Sequence, residues 1–307
     1  MGTSSGLKSR STAVIKKVTE YYNELRLFYN SKSKLCFIGV MVLIIVPPIV
    51  LALFQLSVLY LIPPQFTMDF LHLNYNQPNI SGMFFSAYIH NISSFEHLLG
   101  NYAGYVVVIF LILIFFFIII PLLKAHNVLS LHYPEKSLFL TSAVFFFVLP
   151  FSLAGTSIVF GKMIKQQGTW GFSGILWAFT AYFIFLLIAM VYDAILTKSL
   201  LKNNMKNGQD GIQMGNDNQS LNKLNNGGLV LMLVSTLFIV VPVSVILLDI
   251  GNEKINVFSH LGGFILGLLV SITVALICES NQKRARAFFI FFLALILLVP
   301  AISWTFF

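Results

Sequence analysis

The chain has 307 residues, of which 57% are hydrophobic and only 10% charged, and its mean hydropathy is +0.86. A soluble domain carries about 25% charged residues, so this composition excludes a soluble globular protein and predicts an all-α, polytopic membrane protein. The net charge of +8 comes from Lys and Arg scattered through short polar segments, a pattern typical of membrane topology that gives no indication of a nucleic-acid partner.

The amino-terminal third of the sequence predicts one membrane span between two polar segments. Residues 1–34 form a basic head, and the apolar run at residues 35–62 is too long for the hydrophobic region of a signal peptide, so this helix is expected to be retained. Pro47 and Pro48 are expected to kink it. Residues 63–95 contain no Lys or Arg and many aromatic residues, which predicts a loop lying at the membrane interface.

Six further apolar segments are predicted to span the membrane. The third predicted span is short and broken by Pro150, and a polar stretch at residues 197–227, rich in Asn, Gly and Lys, is predicted to be a flexible linker. We therefore expect a six-helix membrane domain at residues 35–278, followed by a basic loop and a seventh span at residues 279–307. The six segments are residues 96–123, 137–154, 171–196, 228–248, 257–278 and 287–307.

The distribution of Lys and Arg predicts the orientation of these spans. Sixteen of the 19 basic residues fall on the side of the amino terminus, and three, namely Lys162, Lys165 and Lys254, fall on the other side. Because basic loops stay in the cytoplasm, the amino terminus is expected to be cytoplasmic and the carboxyl terminus extracytoplasmic. We expect the chain to reside in a cell membrane.

A serine flanked by glycines opens the fourth predicted span, in the order Gly171-Phe172-Ser173-Gly174. The glycines allow backbone or substrate to approach the hydroxyl closely, and the first turn of a helix offers free N–H groups to negative charge. Glycine and serine are also ordinary packing residues in membrane helices, so the motif alone leaves both readings open.

The second, fourth and sixth predicted spans all begin on the extracytoplasmic side, and each carries polar or aromatic residues near its start. A single histidine in an apolar helix more often makes a structural hydrogen bond, but polar groups in hydrocarbon are costly and tend to be functional. Their coincidence in depth on three helices indicates a site. The residues are His97 and Asn101 four positions apart, Ser173 with Trp177 four positions later, and His260 followed by Gly263 and Gly267.

These residues are suited to nucleophilic acyl transfer. Ser173 is the candidate nucleophile, and His260 is the candidate base that removes its proton near neutral pH. Asn101, His97 and the Ser173 N–H could stabilise the oxyanion of a tetrahedral intermediate. No carboxylate lies at this depth in the sixth span, so Trp177 is expected to hold the imidazole by stacking.

The motifs resemble those of the rhomboid family of intramembrane serine proteases. The Gly171–Gly174 motif is similar to the family's GxSG, His97 and Asn101 to its HxxxN, and His260 with Gly263 and Gly267 to its histidine followed by GxxxG. His90 matches a further histidine often found before the HxxxN motif. The resemblance extends over residues 81–278.

This resemblance implies a six-helix bundle with one added carboxyl-terminal helix. It also implies a serine–histidine dyad in a water-filled cavity, which cleaves transmembrane protein substrates that enter from the lipid bilayer near the fifth helix, without a metal or other cofactor. Two departures stand out: the chain has no arginine between Arg26 and Arg284 for the family's Trp-Arg pair, and Trp177 replaces its usual tyrosine.

The sequence disfavours other classes of intramembrane protease. The sequence has no HExxH zinc motif, which disfavours a zinc protease. Asp193 falls at the cytoplasmic end of the fourth predicted span and Asp249 at the extracytoplasmic end of the fifth, about a bilayer apart, which disfavours an aspartyl protease. Cys36 and Cys278 have no metal-site spacing and are predicted to be packing residues. An inactive rhomboid-like protein that binds transmembrane helices, or a small transporter, stays open as the alternative function. Nothing in the sequence selects an oligomeric state.

Overall fold

The computed structural model describes residues 34–90, 95–125, 135–163, 168–169, 171–206 and 257–303, together with Thr19 and Val240. The remainder of the basic head, the linker from residue 207 onward, the predicted fifth span apart from Val240, and Asp249 lie outside the described residues. Helices make up nearly all of what is described.

We number the helices and strands in chain order. A helical turn (Pro64–Phe66) and a π-helical turn (Thr67–Leu71) follow α1, and α3 continues through a second π-helical turn (Phe115–Ile119) into Ile120–Ala125. The elements are α1 (Lys34–Tyr60), β1 (Leu73–Asn74), α2 (Ile80–Phe85), α3 (Phe95–Ile114), α4 (Glu135–Phe147), α5 (Leu149–Met163), β2 (Gly168–Thr169), α6 (Ser173–Lys206), α7 (Val257–Glu279) and α8 (Lys283–Ser303).

Helices α3, α6, α7 and α8 are each long and apolar enough to cross a membrane. The pair α4 and α5, bent by 47° at its break, meets the same criteria when taken as one broken span. Among the described residues there are thus four such helices, or five with the bent pair, and the prediction of an all-α, multi-pass membrane protein is confirmed at this level. Helix α1 is 27 residues long, and within it the stretch that the structure describes without a gap in its side chains, Ile45–Tyr60, is apolar.

Two helices end later than their hydropathy predicts. The third predicted span was expected to end at residue 154, but α5 continues to Met163. Pro150 lies in the first turn of α5, where a missing N–H removes no helical hydrogen bond, so it begins a new helix after the bend. Helix α6 continues to Lys206, so residues 197–206 of the predicted linker are helical.

Helix α6 lies at the centre of the bundle and α8 at its edge. In the apolar window of α6, 61% of the residues are buried, against 6% for α8. The core around α6 is built from large side chains of α3, α4 and α7, including Tyr105, Phe145 and Val270. Cys278 is half-buried against this core, as predicted, whereas the side chain of Cys36 lies outside the described part.

Helix α8 docks on α5 through a hydrogen bond and a close backbone contact. The buried Ser152 hydroxyl donates to the Leu297 carbonyl at 2.7 Å. Three residues along α5, a Cβ at Gly155 would collide with the Pro300 carbonyl of α8. Polar bonds and small residues are what hold membrane helices together, because lipid provides little hydrophobic drive for their association.

We expect Gly155→Ala to destabilise the docking of α8 by about 1–3 kcal/mol, the cost of overpacking a tight contact. Gly100→Ala is the matched control, since Gly100 is also helical and a Cβ there meets nothing within 4 Å. Thermal unfolding of the detergent-solubilised protein measures both variants. Equal midpoints for the two would contradict the close contact between α5 and α8.

Candidate active site

The turn that precedes α6 depends on glycine. Gly171 has a φ of +132°, a conformation that residues with a side chain rarely adopt. Its N–H donates to the Ser86 carbonyl at 2.8 Å, which ties the turn to the first loop, the segment that joins α1 to α3. Two residues after Gly171, Ser173 begins α6, and its side chain is buried, with 7% of the residue exposed. The first backbone N–H groups of a helix have no partner within it, so the start of α6 offers free donors near Ser173.

Phe172 anchors this turn in the core. Its fully buried ring contacts Tyr105 edge-on at a centroid distance of 5.6 Å and stacks on Phe146 at 6.5 Å. Tyr105 in turn donates to the Leu43 carbonyl of α1 at 2.8 Å, and Tyr88 donates to the Phe146 carbonyl. Aromatic contacts of this kind fix orientation as well as burying area, so the backbone of the adjacent Ser173 is held in place.

A short antiparallel bridge connects the first loop to the segment before Ser173. Leu73 pairs with Thr169 and Asn74 with Gly168, joining β1 to β2. The His72 ring lies against Gly168, at a position that a side chain would fill. Burial lowers the pKa of His72, which favours its neutral form in this contact. Residues far apart in sequence therefore position the turn that carries the serine.

Helices α6 and α7 approach each other closely at their first turns. A Cβ at Gly263 would collide with the Gly174 carbonyl, and a Cβ at Gly267 would lie 2.8 Å from the Ala178 carbonyl. A Cβ at Gly174 would lie 2.6 Å from the Ser259 hydroxyl oxygen. Gly263 and Gly267, the two glycines predicted to pack helices, thus lie where α7 is closest to α6, and the turn bearing Ser173 faces the turn bearing His260.

The imidazole of His260 lies against Trp177, as the sequence predicts. The ring centroids are 5.7 Å apart with planes inclined by 39°, and His260 is 6% exposed. Trp177 also contacts Phe264, one turn further along α7, at 6.4 Å. The indole therefore limits the rotation of the imidazole. Trp177 follows Ser173 by about one helical turn, so the two residues lie on the same side of α6.

A second histidine, His90, accepts hydrogen bonds from two donors near Ser173. The Asn101 amide nitrogen lies 2.8 Å from His90 Nε2, and the Phe172 N–H donates to the same nitrogen at 3.4 Å. Because an amide nitrogen can only donate, His90 Nε2 accepts and its ring is neutral with the proton on Nδ1. The Ser173 hydroxyl oxygen and His90 Nε2 lie 3.9 and 3.7 Å from the point that a Cβ of Gly171 would occupy. Asn101 and Ser173 are thereby brought to one site.

Comparison with known proteins adds nothing to this geometry. No family model, curated protein or solved structure matches the chain. Within the described segments, no group of three or more His, Cys, Asp or Glu side chains is placed to hold a metal ion.

The structure places Ser173 near His90 and Asn101, and it places Trp177, one turn further along α6, against His260. His97 lies in the first turn of α3, but its side chain is outside the described part of the chain. Its predicted role as an oxyanion donor therefore stays a prediction.

Three further residues with contacts at this site were not predicted: Gln55, which hydrogen-bonds the His90 backbone, Ser86 and Ser259. Gln55 carries a signal that the sequence does contain, since it is a polar residue inside an otherwise apolar span, whereas the Ser86 contact is made through a backbone carbonyl and leaves no trace in the sequence.

A small cavity lies beside the Ser173 turn. Its volume is about 20 Å³, enough for about one water molecule. Gly171 contributes to its wall, and three serines, Ser86, Ser157 and Ser259, line it. Serine hydroxyls give a water molecule the polar partners that it needs, so the cavity is suited to hold a water beside the turn that begins with Gly171.

Proposed function

We propose that this protein is an intramembrane serine endopeptidase of the rhomboid type, with Ser173 as nucleophile and His260 as general base. The observation that carries the proposal is the contact of Trp177 with the His260 ring at 5.7 Å, next to the glycine-mediated approach of α6 and α7. It supports a dyad because it puts an imidazole beside the helix turn that begins with the serine. The substrates would be transmembrane proteins, cut in or near their membrane segments.

In the first half-reaction the Ser173 oxygen attacks the carbonyl carbon of the scissile peptide bond. His260 takes the hydroxyl proton as the bond forms and then gives it to the departing amine nitrogen, which leaves an ester between Ser173 and the substrate. Trp177 replaces the third residue of a triad by restricting the imidazole through ring contact instead of a carboxylate hydrogen bond.

The tetrahedral intermediate of this step carries a negative oxygen that requires donors. Asn101 has two amide N–H groups, of which one points to His90 Nε2, so the second is available to the oxyanion. The Ser173 N–H, at the start of α6, is a further donor. These donors are fixed before the substrate arrives, which is the condition for effective electrostatic stabilisation.

In the second half-reaction water hydrolyses the ester. The cavity lined by Ser86, Ser157 and Ser259 is a source of that water within the protein, where bulk solvent is scarce. His260 removes a proton from the water as it attacks, and the Ser173 oxygen is released as a hydroxyl when the ester bond breaks. The product is a carboxylic acid.

Placement in the membrane follows from the charge distribution. With 16 of 19 basic residues on the side of the amino terminus, the site at the first turns of α6 and α7 would open to the extracytoplasmic side of a cell membrane.

Labelling with a fluorophosphonate tests the proposal. The purified protein in detergent is expected to bind the probe covalently, and Ser173→Ala is expected to bind none, because the probe reacts with an activated serine. The alternative functions, a protein that binds transmembrane helices without cleaving them or a small transporter, require no activated serine. Equal labelling of wild type and variant would exclude Ser173 as the nucleophile, and no labelling of either would favour those alternatives.

We expect Asn101→Ala to lower turnover by about 10²- to 10³-fold, the effect of losing one oxyanion donor. Cleavage of a transmembrane substrate in liposomes measures this effect. Leu99→Ala is the control, since Leu99 is exposed on the same helical turn. Turnover of Asn101→Ala equal to that of the control would remove Asn101 from the oxyanion site.

A further inference from the structure

Gln55 is a polar residue on the buried face of α1. Leu51 and Val58 lie on the same face, four positions before it and three after it, and all three are buried, with Gln55 3% exposed. The opposite face of the helix carries exposed apolar residues such as Leu53 and Leu56. Burying a carboxamide in an apolar bundle is unfavourable unless its hydrogen bonds are satisfied, so the position calls for a partner.

The partner is the backbone of His90. Gln55 donates through Nε2 to the His90 carbonyl at 3.1 Å, and its Oε1 accepts from the His90 N–H at 2.9 Å. One side chain thus satisfies both backbone groups of a residue 35 positions away. The pair of bonds fixes the position and direction of the His90 backbone, because rotation of the backbone would break one or both.

His90 passes this constraint on to the site. Its ring nitrogen accepts from the Asn101 amide at 2.8 Å and from the Phe172 N–H at 3.4 Å. Gln55 does not itself reach Ser173. It acts on the site through His90, in the way that an outer hydrogen-bonding residue orients the groups that touch substrate.

We propose that Gln55 is a positioning residue for the reaction of Ser173: by clamping the His90 backbone it keeps the Asn101 amide aimed at the oxyanion. The inference rests on the proposed function and adds to it a residue of α1, a helix that carries no part of the catalytic dyad. Loss of the two Gln55 hydrogen bonds affects the stabilisation of the transition state rather than the binding of substrate.

Gln55→Met tests the clamp, since methionine has a similar length and no hydrogen-bonding amide. We expect kcat to fall about 10- to 10²-fold, the size of a small misplacement at the reacting groups, with KM unchanged. Ser57→Ala is the matched control on the same helix, because its hydroxyl bonds the Leu53 carbonyl of its own helix at 2.8 Å. Rates are expressed per site labelled by fluorophosphonate, which removes any unfolded fraction from the comparison.

A double-mutant cycle with Asn101→Ala separates positioning from packing. If Gln55 acts through Asn101, the effect of Gln55→Met largely disappears when Asn101 is already alanine. A merely structural role gives effects that multiply in the double variant. Multiplying effects would overturn the inference.

Gln55→Glu provides a second test that does not depend on Gln55→Met being folded. A protonated glutamic acid can donate to the His90 carbonyl and accept from the His90 N–H, as glutamine does, whereas the ionised form cannot donate. The kcat of Gln55→Glu relative to wild type at the same pH is therefore expected to rise as the pH is lowered. A ratio that does not change with pH would contradict the clamp.

The outcomes distinguish the two levels of the proposal. Wild-type protein without Ser173-dependent cleavage overturns the proposed function, and with it the inference. Cleavage that depends on Ser173, together with a kcat of Gln55→Met equal to that of Ser57→Ala, overturns the inference alone.

Discussion

Replacement of Ser173 by alanine is expected to lower the rate of substrate cleavage by on the order of 10⁴- to 10⁶-fold, the effect of removing a catalytic nucleophile. The change deletes one oxygen at the first residue of α6 and leaves the helix contacts of Gly174 and Trp177 intact. The unfolding midpoint should therefore match that of wild type. Single-turnover cleavage of a transmembrane substrate reconstituted in liposomes measures the rate.

Ser142→Ala is the control for this prediction. Ser142 is a buried serine of α4 whose hydroxyl bonds the Leu138 carbonyl of its own helix at 2.8 Å, so its loss should leave cleavage unchanged. His260→Ala should reduce cleavage by a similar factor as Ser173→Ala, and the double variant should be no worse than either, because the two residues act as one unit. Residual cleavage near the wild-type rate in Ser173→Ala would refute the assignment.

The second large effect is expected from Gly263→Val. A side chain at this position collides with the Gly174 carbonyl on the facing helix, a backbone atom that no rotamer change can move. The two helices must separate, which costs about 1–3 kcal/mol or more and moves His260 away from Ser173. Both the unfolding midpoint and the cleavage rate should fall, and Gly263→Ala should fall less than Gly263→Val.

Gly262→Ala is the matched control on the neighbouring position. A Cβ at Gly262 lies 3.4 Å from the Thr156 hydroxyl oxygen and 3.7 Å from the nearest atom of Leu153, which is close to ordinary van der Waals contact. Its stability and cleavage should stay near wild type. If Gly262→Ala and Gly263→Ala were equally stable and equally active, the close approach of α6 and α7 would not be what holds the site together.

The positions of the spans could be predicted because hydropathy reports them directly. Helices α3, α6, α7 and α8 overlap segments that the sequence predicts to span the membrane. The ends of the helices were less predictable. A proline in the interior of a helix breaks it, whereas a proline in the first turn is compatible with the start of a helix, and the sequence alone does not say which case applies to Pro150. The same holds for α6, whose last turns are polar yet helical.

The site could be predicted where its residues share a helix with a recognisable pattern. Ser173, Trp177, His260 and the glycines of α7 follow helical spacing, and the structure shows their packing. The contacts of His90 with Gln55 and Phe172 join separate segments, with separations of 35 and 82 residues, and no local periodicity reports such pairs. The pairing of β1 with β2 is hidden for the same reason, because each strand has only two residues.

The most direct test of the dyad is the site of reaction of a chloroisocoumarin. Such a compound acylates an activated serine and, after loss of chloride, alkylates an imidazole within reach of the bound ring. Peptide mapping of the modified protein by mass spectrometry should find one inhibitor molecule joining the peptide of Ser173 to the peptide of His260. An adduct on Ser173 that never extends to His260, or an adduct on another residue, would contradict a serine and an imidazole that meet between α6 and α7.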